Sequence, residues 1–199
     1  MATKTNKIIA AVLVITLIVA LGVFIVVNLP KQTASPGGST QPGTTILTVT
    51  YNGHQTNYTL NHLESLESFT GEGGYRTSYP AIKGQGNYTG VRIQTLINTL
   101  SGVPDNYSII VFSSDSTNRS FNFSTIMGYV PTYDPDNASD AQPIGYGGLT
   151  MVLAYKYDGT YLNESKDGKL KIVFLDDQGS ITSSLLWWKY VDAIQVISE

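Results

Sequence analysis

The chain changes its hydrophobic pattern three times. From Ile8 to Val27 only Thr16 and Gly22 interrupt Ile, Val, Leu, Ala and Phe. About 20 such residues, rising 1.5 Å each, cross the roughly 30 Å hydrocarbon layer. This predicts a transmembrane anchor over 8–29. Lys4, Lys7 and the terminal amine precede it and only Lys31 follows closely, so 1–7 is expected in the cytoplasm and the rest outside. Asn28-Leu29-Pro30-Lys31 offers no small-x-small cleavage pattern, which favours a retained anchor over a cleaved signal peptide. Residues 30–45, rich in Thr, Ser, Pro, Gly and Gln, read as a flexible linker.

From residue 46 the pattern becomes one of strands. Ile46 to Tyr51 alternates, Asn52-Gly53 signals a type I′ hairpin turn, and His54 to Leu60 supplies the return strand. Asn61 is the expected N-cap of a short helix with Leu63 and Leu66 inward. Gly71 to Gly90, with many glycines and no apolar period, reads as an irregular loop. Val91, Ile93, Leu96, Ile97 and Leu100 follow helical spacing until Gly102. Strands are expected over Tyr107–Ser113, Arg119–Phe123, Leu149–Tyr157, Lys169–Leu175 and Ala193–Ile197, with Asp134 to Pro143 an acidic loop and Asp158-Gly159 a turn. Strands outnumber helices without regular alternation, so the fold class is α+β, mixed and strand-rich, over 46–199.

Composition narrows the function. Charged residues are 14% of the chain, against about 25% in soluble domains. Without residues 1–31, which hold Lys4, Lys7, Lys31 and no acid, nine basic residues face fifteen acidic ones, a net charge of -6. That balance gives no footprint for nucleic acid. The chain has no cysteine, which excludes disulfides, thiolate metal sites and a Cys nucleophile. Seven Asn-x-Ser/Thr triplets, at Asn57, Asn87, Asn106, Asn118, Asn122, Asn137 and Asn163, are N-glycan acceptors of an exported surface protein.

Candidate chemistry is sparse. His54 and His62 have no carboxylate at ligand spacing, and no G-x-S-x-G elbow, G-x-G-x-x-G fingerprint or P-loop occurs. Asp134, Asp136, Asn137, Asp140 and Gln142 crowd oxygen ligands, yet lack an EF-hand's central Gly and terminal Glu, and read as a solvated acidic loop. Asp176-Asp177 reads as a turn.

A series of phrases resembles a known family. Tyr88-Thr89-Gly90-Val91-Arg92-Ile93-Gln94-Thr95-Leu96-Ile97, Gly102-Val103-Pro104, Met151-Val152-Leu153-Ala154-Tyr155 with Asp158-Gly159, Gly168-Lys169-Leu170-Lys171-Ile172-Val173 and Trp187-Trp188-Lys189-Tyr190-Val191 run in the order found in the oxidoreductase molybdopterin-binding domain of the sulfite oxidase family. The resemblance covers residues 46 to 197. It implies that family's fold and a molybdopterin pocket, with Tyr75 and Arg76 on the Gly-rich segment, Lys171 in place of an anion-contacting Arg, and Trp187 and Lys189 on the closing strand as cofactor-binding candidates. The family's molybdenum-ligating Cys falls where this chain reads Gly71-Glu72-Gly73-Gly74-Tyr75-Arg76, so the metal loses its soft sulfur ligand. A pterin is compatible with the resemblance and molybdenum is disfavoured. Three readings follow: a non-catalytic binding or accessory module with a membrane or cell-envelope partner, a pterin redox enzyme without a Cys ligand, and a structural glycosylated surface protein.

Overall fold

A computed structural model describes residues 43–198. The expected cytoplasmic segment 1–7, the expected anchor 8–29 and most of the expected linker 30–45 lie outside the described residues. Among the described residues no helix is long and apolar enough to cross a membrane.

The first hairpin joins β1 (Thr45–Tyr51) to β2 (His54–Thr59), and Asn52 and Gly53 both take positive φ, 47° and 78°, as a type I′ turn requires. Helix α1 (Leu60–Ser65) follows. Its cap is Thr59, whose hydroxyl accepts from the His62 N–H, and not Asn61, because the helix starts two residues earlier than expected. The Gly-rich segment is no loop. It forms β3 (Ser68–Arg76) and β4 (Ile82–Arg92), a long antiparallel pair. The expected helix from Val91 is confined to α2 (Ile93–Ile97), since Val91 and Arg92 still pair with Leu153 and Val152.

Next come β5 (Tyr107–Ser113), β6 (Asn118–Phe121) and α3 (Phe123–Ile126). Asn122 ends β6 and caps α3 through its side-chain oxygen, which is why the strand stops short of Phe123. A small arm pairs β7 (Pro131–Thr132) with β8 (Gly145–Tyr146). The rest is β9 (Thr150–Tyr157), β10 (Thr160–Tyr161), α4 (Glu164–Asp167), β11 (Lys171–Leu175), β12 (Ile181–Ser183), a 3-10 turn at Ser184–Leu186 and β13 (Val191–Ser198).

Two sheets result, in strand order β2-β1-β13-β5-β6 and β10-β9-β4-β3-β12, with β11 also on β9. The pairs β1–β13 and β3–β12 are parallel and the remaining pairs antiparallel. The described helices run only four to six residues, so the observed class is a strand-rich mixed fold.

Glycines explain why β3 was unreadable as a strand. The end of β11 returns to β3 through a two-way backbone pair, Glu72 N to Asp176 O at 2.8 Å and Asp176 N to Glu72 O at 3.0 Å. A Cβ on Gly71 would sit 2.8 Å from the Asp176 oxygen, and one on Gly73 would sit 2.5 Å from the Phe174 oxygen. Side chains there would hold the strands apart, so residues without one are required. β3, β4, β9 and β11 thereby close on themselves.

Strand alternation then divides the core. Met151, Leu153 and Tyr155 of β9 and Ile172 and Phe174 of β11 join the main core with Leu47, Val49, Ile109, Val111 and Ile194 of the first sheet. Val152, Ala154, Val173 and Leu175 point the other way, into a smaller core closed by Tyr88 and Trp187. Lys171 shares the parity of Val173 and is driven into that second core.

Candidate functional site

Lys171 follows Leu170 at the start of β11 and is 3% exposed. An ammonium loses several kcal/mol of hydration in such a place unless charge and dipoles replace it. The replacement comes from α4. Gly168 takes φ 79°, and packs so tightly that a Cβ would meet the Tyr190 backbone at 2.5 Å. That turn brings Asp167 Oδ1 to 3.1 Å from Lys171 Nζ and to 3.0 Å from Lys189 Nζ. Lys189 Nζ also donates to the Lys166 carbonyl at 3.2 Å.

The rest of the Lys171 shell is aromatic. Its Nζ lies 5.2 Å from the Trp187 ring centroid, 5.4 Å from Tyr88 and 5.8 Å from Tyr75, all at cation–π range. The rings touch one another, Tyr75–Trp187 at 5.1 Å and Tyr88–Trp187 at 5.3 Å, and Tyr157 packs on Tyr88 at 4.8 Å. Their polar ends are used: Trp187 Nε1 donates to Thr182 Oγ1 at 2.7 Å, Tyr88 OH to Gly84 O at 2.9 Å and Tyr157 OH to Gln85 O at 2.7 Å. Gly84 is needed here, since its φ is 64° and a Cβ would meet the Tyr75 ring at 2.6 Å.

Burial pushes the Lys171 ammonium below its ordinary range, against the pull of Asp167. Asp167 is more exposed. Burial raises it, but the Lys171 and Lys189 charges outweigh that and hold it below the usual carboxylate range. Tyr88 is pushed up, first by burial and then by neighbouring Tyr157 and Asp167.

Of the five cofactor candidates, Lys171 and Lys189 share the Asp167 carboxylate, and Tyr75 and Trp187 pack around the Lys171 ammonium. Arg76 does not join them. Consecutive strand residues face opposite ways, and its Nε donates to the Ala138 carbonyl at 2.6 Å while its guanidinium lies over Tyr133 at 5.7 Å. Asp167, the hub, escaped the sequence reading along with Tyr88 and Tyr157. Its one signal was the i, i+4 spacing to Lys171.

This donor set does not fit a molybdopterin. The one buried cation among the described residues, Lys171, is neutralised by Asp167 and enclosed by three rings, and the chain supplies no thiolate. An anionic cofactor would have to displace both.

Other candidates resolve locally. Asp134 accepts from the Asp136 N–H and Asp140 from the Gln142 N–H, as in Asx turns. Asp176 accepts from Gln178 N, Ser180 N and the Ser180 hydroxyl, closing the expected turn, and these bonds hold its carboxyl low against burial. His54 and His62 are exposed. Among the described residues no group of three or more His, Asp or Glu stands close enough to hold a metal ion. All seven sequon asparagines are exposed.

Among solved structures the chain is similar to the sulfane dehydrogenase SoxCD from Paracoccus pantotrophus, with TM-score 0.53 and 13% identity over 77% of this chain. The likeness is one of fold. It spans 38% of that chain and supports a distant molybdopterin-oxidoreductase-like fold. No family model and no curated protein matches the sequence.

Proposed function

We propose that this chain is a membrane-anchored, extracytoplasmic domain that has kept a molybdopterin-oxidoreductase-like fold and serves as a non-catalytic binding or accessory module. The observation that carries this reading is the Asp167–Lys171–Lys189 cluster. Lys171 and Lys189, cations suited to an anionic cofactor, are turned instead toward the Asp167 carboxylate, and Lys171 is roofed by Tyr75, Tyr88 and Trp187. A fold is a scaffold, and function belongs to the site built on it. The apolar run 8–29 supports the anchor, and exposure of Asn57, Asn87, Asn106, Asn118, Asn122, Asn137 and Asn163 supports glycosylation outside the cell.

The test is elemental and pterin analysis of the full chain purified from a host that makes the cofactor. Neither molybdenum nor the fluorescence of oxidised pterin should accompany the protein. Stoichiometric pterin would replace this reading with that of a redox enzyme. Retention in the membrane pellet after alkaline carbonate extraction tests the anchor, and release into the supernatant would remove it.

A further inference from the structure

The arm around β7 and β8 carries a surface that the Asp167 cluster does not use. Met127, Tyr129, Ile144 and Tyr146 are 47%, 63%, 66% and 59% exposed, and the Tyr129 and Tyr146 rings stack with centroids 5.8 Å apart. Large apolar side chains grouped on a soluble surface mark contact sites, and tyrosine is among the residues enriched there.

These side chains stand on a fixed base. Val130 and Leu149 beneath them are buried. Gly128, at φ 80°, lies so close to Leu149 that a Cβ would overlap its carbonyl. Tyr133 N donates to Ile181 O at 2.8 Å, Ile144 N to Thr132 O at 2.9 Å and Gly147 N to Val130 O at 3.1 Å, while Arg76 ties the intervening loop at Ala138. A surface held this way has little ordering entropy left to lose on binding.

Charge selects the occupant. From Ser120 to Tyr155 the sequence contains Asp134, Asp136 and Asp140 and no Lys, Arg or His. The cation that reaches the arm, Arg76, is engaged with Ala138 and Tyr133. A second copy would set carboxylates against carboxylates, and an anionic lipid surface would be repelled in the same way. We infer that residues 127–136 and 140–148 form a docking surface for a second protein whose contact face carries Lys and Arg around an apolar or aromatic centre, with the Asn137 sequon outside the contact. The inference rests on the accessory-module reading and gives that module the class of its partner.

The experiment places the photo-crosslinker p-benzoylphenylalanine at position 144 of the full chain in its native membrane, with position 161, exposed elsewhere, as control. The expected result is a discrete protein adduct from 144 and not from 161, whose crosslinked peptide maps to a Lys/Arg-rich surface. Adduct yield should drop about tenfold in a D134N/D136N/D140N variant and in high salt, as screening and charge loss require. Asn preserves the Asx turns at 134 and 140, so the arm keeps its shape. An adduct with a second copy or with lipid, absence of an adduct, or an adduct indifferent to the charge variant overturns the inference. Pterin in the same preparation would sink the non-catalytic reading alone, leaving a salt-sensitive adduct intact.

Discussion

Asp167 Oδ1 lies 3.1 Å from Lys171 Nζ beneath three aromatic rings, and the two residues are unequal partners. Lys171 is nearly sealed, whereas the Asp167 side chain is 14% exposed and also holds Lys189. Removing one partner of a buried pair strands the other at a cost of about 3–5 kcal/mol, while exchanging a buried charge for an apolar group of similar volume is often close to neutral. Asp167→Asn should therefore destabilise far more than Lys171→Met, whose Asp167 keeps Lys189. Urea unfolding midpoints of the two variants decide this. Equal losses would mean that Lys171 is held by the rings and not by Asp167.

The pH profile has a definite sign. Asp167 and Asp176 have folded pKa values below the ordinary carboxylate value. They contribute stability above the unfolded pKa, about 3.9, and lose it as pH falls through their lowered folded values. Asp192, raised by burial, works the other way, costing stability as it ionises. Thermal midpoints should fall on acidification from about pH 5 toward pH 2, over the window those pKa shifts set, and Asp176→Asn should flatten the fall. At the alkaline end Tyr58, Tyr88 and Tyr107, raised by burial, lose stability as pH climbs past their unfolded value, about 10, while Lys171, depressed by burial, offsets part of that loss. Lys171→Met removes the offset and should steepen the alkaline fall in thermal midpoint.

The adjacent tryptophans should respond oppositely to phenylalanine. Trp187→Phe deprives the fully buried Thr182 hydroxyl of its donor, a loss of about 1–3 kcal/mol. Trp188 carries a buried Nε1 with no hydrogen-bond partner among the described residues, under the Arg119 guanidinium at 4.9 Å. Trp188→Phe removes that donor and keeps a ring for Arg119, so stability should hold or rise. Parallel denaturation curves check the pair.

Asn122 separates a structural role from a modification role. Its side-chain oxygen accepts from Thr125 N at 2.9 Å and Thr125 Oγ1 at 2.8 Å. Asn122→Asp keeps the acceptor and deletes the sequon, Ser124→Ala deletes the sequon alone, and Asn122→Ala deletes both. Only the alanine at 122 should lose about 0.5–2 kcal/mol, the usual value of a cap. All three should lose one glycan by intact mass if the site is used. No mass difference in any of them would remove Asn122 from the glycosylated set.

Gly128 and Gly102 both have positive φ, 80° and 75°, but differ in surroundings. Nothing lies within 4 Å of a Cβ on Gly102, whereas one on Gly128 overlaps the Leu149 carbonyl. Gly102→Ala should cost about 1–2 kcal/mol for left-handed backbone alone, and Gly128→Ala distinctly more. Equal thermal shifts would show that the arm can move away from β9.

Local physics wrote much of the fold into the chain. The alternation of Ile46–Tyr51 and the β-branched, apolar runs within Tyr107–Ser113 and Leu149–Tyr157 fix strands wherever the chain falls, and Asn52-Gly53 and Asp158-Gly159 turn with positive φ because their residue types tolerate it. The same is true of the absent cysteines, the apolar run 8–29 and the seven sequons, which are read from the sequence alone. Tertiary structure decided what depends on partners distant in sequence. Gly71 and Gly73 belong to a strand because Phe174 and Asp176 approach them, and glycine by itself reports only freedom. Tyr75 and Lys171 meet while Arg76 does not, because strand parity sends neighbours to opposite faces. Asp167 became the centre of the site for the same reason: a carboxylate's role is set by the charges that folding brings within hydrogen-bond reach, and the Ile172–Trp188 bridge and the Tyr190 N–H on the Asp167 carbonyl bring Lys189 beside it.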